Sequence, residues 1–328
     1  MMLRNCLMLL SFRYIESQIS NCSFEGYPDL HFTAPDLFTP NATNGWGPGG
    51  PEGGKRAIEV LPNWQVVLDT DRYSTSPWES VHHTTYLPTD WESARPRKYP
   101  IIVEFTGNGP WQDTYQDVST GLPEHANMGY GISGGVEFIW ISLPCLDLSG
   151  QFVETYWWGC PSNSSKPVGQ CPGYYDVTKT LAYMKEAVRW VASTYNGDIS
   201  NVFITGWSRG ALATNYFGLY DDEAASLFKG YLPYSHFDGQ PSDLYVPYPN
   251  HDAESALERL KRLNGKPMFI TCERNGTIET AEYLNSTGLA LNATFMSTGF
   301  CNHNDQWTLR PSKARSAIRE WLSNLVQS

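Results

Sequence analysis

Three short runs along the chain are apolar at consecutive positions rather than at alternate ones: YPIIVEF at 99–105, VEFIWISL at 136–143 and NVFITGW at 201–207. That is the pattern of strands covered on both faces, and it predicts a mostly parallel sheet. Between the second and third runs, YDVTKTLAYMKEAVRWVASTY places Val177, Leu181, Met184, Val188 and Val191 at spacings of three and four, which makes one face of a helix. A strand, helix, strand crossover follows. GYLPYS at 230–235 and KPMFITC at 266–272 continue the series, with the helical stretch ESALERLKRL between them. ATFMSTGF then precedes a last helix opened by Ser312, with Ala317, Ile318, Trp321, Leu322 and Leu325 as its inward stripe.

Upstream of these runs, AIEVLPNWQVVLDT and SVHHTTYLPTDW read as extended segments, an antiparallel entry into the sheet. Residues 34–54 are dense in Pro, Gly and Asn without an apolar period, and read as an irregular N-terminal arm. The expected organisation is a weak signal segment over 1–20, the arm and entry strands over 21–79, and one doubly wound α/β domain over 80–328. In such a sheet the loops at the carboxyl ends of the strands carry function.

Composition narrows the partners. Of the 328 residues 41% are hydrophobic and only 17% charged, enough apolar surface for a sizeable core. The net charge of −11 opposes binding to nucleic acid and to anionic membranes, which need basic patches. No apolar run approaches the roughly 18 residues that span a bilayer. At the start, Arg4 precedes the apolar stretch Cys6 to Phe12, which Arg13 and Glu16 soon interrupt.

Glycosylation sequons at Asn21, Asn41, Asn163, Asn275, Asn285 and Asn292 favour the secretory pathway. The cysteines agree: with Cys6 leaving in a signal segment, Cys22, Cys145, Cys160, Cys171, Cys272 and Cys301 form an even set. Cys272 with Cys301, and Cys160 with Cys171, are the candidate disulfides. The sequence has no CxxC pair and no HExxH, so a zinc site has little support, and no GxxxxGK[ST] marks a phosphate-binding loop. No metal or organic cofactor is expected.

The chemistry concentrates in NVFITGWSRGALAT, where Gly206, Ser208 and Gly210 form G-x-S-x-G between an apolar strand and the start of a helix. Flanking glycines let the backbone turn sharply and expose the serine hydroxyl, which makes Ser208 the candidate nucleophile. Its base should come from the loop after the last strand, where His303 lies in GFCNHNDQW. For the orienting acid Glu273 is the first choice, with Asp238 as the alternative. Glu273 follows KPMFITC directly, Asp238 sits in PYSHFDG after the preceding strand, and Glu279 is a further carboxylate. For the oxyanion, the amide of Arg209 is one candidate donor, and Asn108, with Gly107 beside it, is the other, in the glycine-rich loop after IIVEF.

The order of these parts resembles the α/β-hydrolase superfamily, and within it secreted esterases such as feruloyl esterases and polyhydroxyalkanoate depolymerases. The resemblance covers about residues 80–325 and rests on YLPTDW, YPIIVEFTGNG, YNGDISNVFITGWSRGALAT, KPMFITCERNG and GFCNHNDQW. It departs from the family at Thr106, where a histidine often begins the oxyanion loop, and in CERNG, where an aspartate usually follows the seventh strand. The resemblance implies a secreted serine hydrolase acting on a small-molecule or sugar-linked carboxylic ester. A serine peptidase on the same fold, and a binding protein that has lost catalysis, are the alternatives. Trp111, Trp157, Trp158 and Trp207, read as loop residues near the site, point to an aromatic or sugar-bearing substrate.

Overall fold

Each apolar run contains a strand in the computed structural model of the protein, and with one strand from each entry segment these make eight side by side among the described residues. The structure describes residues 46, 50–64, 80–109, 118–158, 177–244, 246 and 248–328, with the backbone alone at 13–15, 37–38 and 111–112. The strands are β1 (Arg56–Glu59), β2 (His83–Tyr86), β3 (Tyr99–Phe105), β4 (Ile139–Leu143), β5 (Gly197–Trp207), β6 (Gly230–Tyr234), β7 (Pro267–Cys272) and β8 (Asn292–Ser297). Their order across the sheet is β8-β7-β6-β5-β3-β4-β2-β1. β3 to β8 are mutually parallel, and β2 runs antiparallel to both its neighbours, the antiparallel entry expected at this end. Short strands at Arg13–Ile15 and Leu37–Phe38 extend the two edges by pairing with β8 and β1.

Among the described residues seven α-helices flank the sheet: α1 (Met128–Ser133), α2 (Val177–Thr194), α3 (Arg209–Gly218), α4 (Asp222–Leu227), α5 (Ala253–Leu260), α6 (Gly276–Ser286) and α7 (Lys313–Gln327). Alternation along each strand divides the core in two. Ile101, Val103, Ile139, Ile141, Val202 and Ile204 face one way and pack with Leu181, Met184, Val188 and Val191 of α2. Ile102, Trp140, Phe203 and Phe269 face the other way and pack with Ile132 of α1 and with Ile318 and Leu322 of α7. Both faces are covered, so the runs have no polar alternation. Fully burying one such side chain contributes about 1.5–3 kcal/mol. The second run begins later than its sequence suggests, because Val136 is exposed and Glu137 turns the chain with φ 60°.

Glu104 and Arg56 are among the charged side chains buried in this framework. Glu104 of β3 accepts the Met128 and Gly129 amides at the start of α1, and its burial pushes the carboxyl up to about 6. Arg56 of β1 donates to Thr84 and to the carbonyls of Pro123, Glu124 and Ala126, and lies 4.1 Å over the Trp140 ring. Burial brings this guanidinium down to about 10. Neither charge is left without partners, which is what makes its burial tolerable.

The arm is tied to the sheet through Trp46. Its ring is buried, and its indole N–H lies 2.9 Å from both Glu59 Oε1 and the Tyr195 hydroxyl. The Tyr195 hydroxyl in turn donates to Glu59, and burial pushes that carboxyl up.

Candidate active site

The turn between β5 and α3 decides where chemistry can occur. Ser208 has φ 54° and ψ −126°, a conformation that costs a non-glycine residue about 1–3 kcal/mol and lifts its side chain off the end of the strand. Its neighbours show why the two glycines are needed. A Cβ on Gly206 would stand 2.3 Å from the Gly210 carbonyl oxygen, and one on Gly210 would stand 2.1 Å from the carbonyl oxygen of Phe105. The serine turn is therefore pressed against the end of β3.

That close approach also brings the loop after β3 to the start of α3. A Cβ on Gly210 would lie 2.4 Å from the Thr106 carbonyl oxygen, and one on Gly107 would lie 2.4 Å from the Trp207 ring. Gly107 thus lies against Trp207, next to Ser208, with Asn108 following it in the chain, on the side where β3 and β5 pair through Phe105 and Gly206.

His303 reaches Ser208 from the loop after β8. Its Nε2 lies 2.9 Å from Ser208 Oγ and its Nδ1 2.8 Å from Glu273 Oε1, while the ring packs edge-on against Trp207 at 5.1 Å between centroids. Burial alone would raise the Glu273 carboxyl, but the hydrogen bond and charge of His303 outweigh it and hold the group at about 2. An ionised Glu273 fixes the tautomer: Nδ1 carries the proton, and in the neutral ring Nε2 is left to accept from Ser208.

The rival carboxylates are engaged elsewhere. Asp238 is buried and takes a two-pronged ion pair from Arg259 of α5, at 2.7 and 2.9 Å, and also accepts the Tyr248 hydroxyl at 2.7 Å. Glu279 is exposed in the first turn of α6. The structure brings neither to His303.

The expected disulfide between Cys272 and Cys301 is not formed. Cys272 is a free thiol at the end of β7, with Sγ 3.7 Å from the Ser235 carbonyl and 3.5 Å from Glu273 Oε2, and Gly276 closes over it. Burial and the negative Glu273 push this thiol up, which disfavours its thiolate. Cys301 is disulfide-bonded, and since Cys145 is also free, its partner lies outside the described residues. Cys160, Cys171 and Cys22 all lie outside them.

The tryptophans also need correction. Trp157 and Trp158 are core residues, at most 1% exposed, packed on Phe105, Tyr216, Phe217 and Tyr248 rather than facing a ligand. Trp207 lies under the His303 ring, and the side chain of Trp111 is outside the described residues. Of the sequon asparagines, Asn275, Asn285 and Asn292 are exposed, and Asn21, Asn41 and Asn163 lie outside the described residues.

Three further residues at the site escape the sequence reading, all in PYSHFDGQPSD after β6. The Ser235 hydroxyl lies 2.8 Å from His303 Nδ1 and 3.1 Å from Glu273 Oε1. His236 packs edge-on against His303 at 5.3 Å between ring centroids, and its Nδ1 is 2.5 Å from buried Asp243. The only signal for them in the sequence is their position at the carboxyl end of a strand next to β5. Among the described residues no cluster of His, Cys, Asp and Glu forms a metal site, and no helix is long and apolar enough to cross a membrane.

No family model matches the sequence, and no curated protein matches it. Among solved structures, the chain is similar to a ferulic acid esterase at 16% identity and a TM-score of 0.49, over 84% of this chain and 99% of that one. A thermostable esterase matches at 15% identity and a TM-score of 0.45, over 74% of this chain and 59% of that one. The fluorophosphonate-binding serine hydrolase F of Staphylococcus aureus, solved with substrate, matches at 13% identity and a TM-score of 0.45, over 76% and 93%. With one antiparallel strand at β2 of an otherwise parallel sheet, and a strand, serine turn and helix at its centre, the chain has the α/β-hydrolase fold.

Proposed function

We propose that the chain is a secreted serine hydrolase that cleaves carboxylic esters through an acyl-enzyme on Ser208. The observation that carries this reading is the unbroken line of bonds from Ser208 Oγ to His303 Nε2 at 2.9 Å and from His303 Nδ1 to Glu273 Oε1 at 2.8 Å. Ser208 Oγ attacks the ester carbonyl while its proton passes to His303 Nε2, and Glu273 stabilises the imidazolium. The amides of Arg209 and Asn108, with Gly107 as the neighbouring donor, hold the oxyanion. The tetrahedral species then collapses: the C–O bond breaks, and His303 returns the proton to the departing alkoxide. Water repeats the sequence on the acyl-enzyme and frees Ser208.

Labelling with a fluorophosphonate tests the reading without knowledge of the substrate. The folded wild type is expected to label covalently and Ser208→Ala not at all. An unlabelled wild type would overturn the hydrolase and favour a binding protein on the same fold. A panel of aryl, acyl and sugar esters beside peptide amides then separates esterase from peptidase; turnover of peptides alone would overturn the ester reading.

A second expected outcome concerns Glu273. Glu273→Gln keeps the shape but no longer holds His303 with a full charge, and kcat is expected to fall by about 10⁴-fold. Retained activity would mean another group orients His303. Secretion is supported by exposed Asn275, Asn285 and Asn292 and by the disulfide at Cys301. Material from a secreting eukaryotic host should lose mass on treatment with an N-glycosidase; unchanged mass would argue against export by that route.

A further inference from the structure

Ser235 follows β6 and has φ 85°, deep in the region that favours glycine. Its backbone is pinned there: the amide donates to the Thr271 carbonyl at 2.9 Å, in register with the pairing of β6 and β7. From this position its hydroxyl stands between two members of the proposed triad, 2.8 Å from His303 Nδ1 and 3.1 Å from Glu273 Oε1. Ionised Glu273 can only accept, so the hydroxyl donates to it and turns its lone pairs to the Nδ1 proton. That proton is shared between Glu273 Oε1 and Ser235 Oγ, each 2.8 Å away.

We propose that Ser235 is a fourth, positioning residue of this site, and that its unfavourable backbone is retained because it delivers the hydroxyl to both Glu273 and His303. The proposal rests on the serine hydrolase reading. Glu273 is reached by two donors from two different loops, so it keeps a fixed orientation whether His303 is neutral or charged during the cycle. Buried Asp243 reinforces the same turn by holding His236 at 2.5 Å and accepting the Phe237 amide at 2.8 Å, with the His236 ring set against His303. Strain at Ser235 and its contact with the triad thus belong to one device.

Two variants separate backbone from hydroxyl. Ser235→Ala keeps a side chain in the strained conformation and removes the hydroxyl; Ser235→Gly removes both the strain and the hydroxyl. Both should fold, and the glycine variant should melt no lower than the alanine one. In both, kcat on an aryl ester and the rate of fluorophosphonate labelling are expected to fall by about 10²-fold, the cost of a misplaced reacting group, with KM nearly unchanged. The His303 Nδ1 proton, followed by NMR in ¹⁵N-histidine-labelled protein, should shift or exchange faster in both.

Labelling of both variants at the wild-type rate would overturn the proposal, as would a loss confined to the glycine variant, which would assign the effect to the backbone. If the wild type itself does not label, the hydrolase reading fails separately, and the Nδ1 proton still decides. Unmoved in Ser235→Ala, it overturns the positioning role; displaced, it upholds that role.

Discussion

Ser208→Ala is expected to lower kcat on an activated aryl ester by on the order of 10⁶-fold, the loss seen when the nucleophile of a working triad is removed. Binding should be affected little. The hydroxyl is one small group at the end of β5, and the Arg209, Gly107 and Asn108 backbone that would hold the carbonyl oxygen is left in place. Stability should hold or rise slightly, because alanine brings no new clash and the φ of 54° is inherited unchanged. Steady-state kinetics on the two proteins, with melting curves alongside, check both statements. Retention of more than about one part in 10³ of the activity would mean that some other group attacks the substrate.

Asp238→Ala has the largest expected effect on stability, a loss of about 3–5 kcal/mol, because it leaves a buried guanidinium without its carboxylate. Arg259 gives Asp238 two hydrogen bonds at 2.7 and 2.9 Å and is otherwise held by the Asn250 carbonyl and the Tyr216 ring. Tyr248 loses an acceptor in the same change. Urea denaturation reads the loss, and activity per folded molecule should stay close to that of the wild type. The opposite pattern, intact stability with a loss of about 10⁴-fold in kcat, would transfer the role of triad acid from Glu273 to Asp238.

That contrast marks what a sequence of this kind can reveal. Burial on both faces leaves a parallel strand little freedom of composition, so YPIIVEF coincides with β3 and the serine turn could be placed by reading outward from it. His303 was legible for a related reason: few segments lie between the last strand and the last helix. The acid was legible only as a first choice, Glu273, with Asp238 as its rival, because both follow strands at the carboxyl ends of the sheet. What separates them is a guanidinium 21 residues away on α5. Cys272 and Cys301 likewise lie on neighbouring loops, yet side-chain direction, which spacing does not encode, turns the Cys272 thiol into the gap over Gly276. Trp157 and Trp158 follow a polar stretch and read as loop residues, but they fold back into the core. Ser235 had only its position after a strand to mark it, since nothing in PYSHFDG announces a positive φ.

The tie at Trp46 bears on where the folding unit begins. A cut at residue 80 looks natural from composition, since the fully apolar strands all come later. Such a shortened chain would lose β1 with its Glu59, and the Trp46 indole, the two groups that bond to the Tyr195 hydroxyl. It would expose the antiparallel edge of β2 and leave the Tyr195 hydroxyl, at the end of α2, facing solvent through an open seam. Preparations meant for crystallisation or kinetics should therefore begin ahead of Trp46, whose ring acts as a clasp on the sheet.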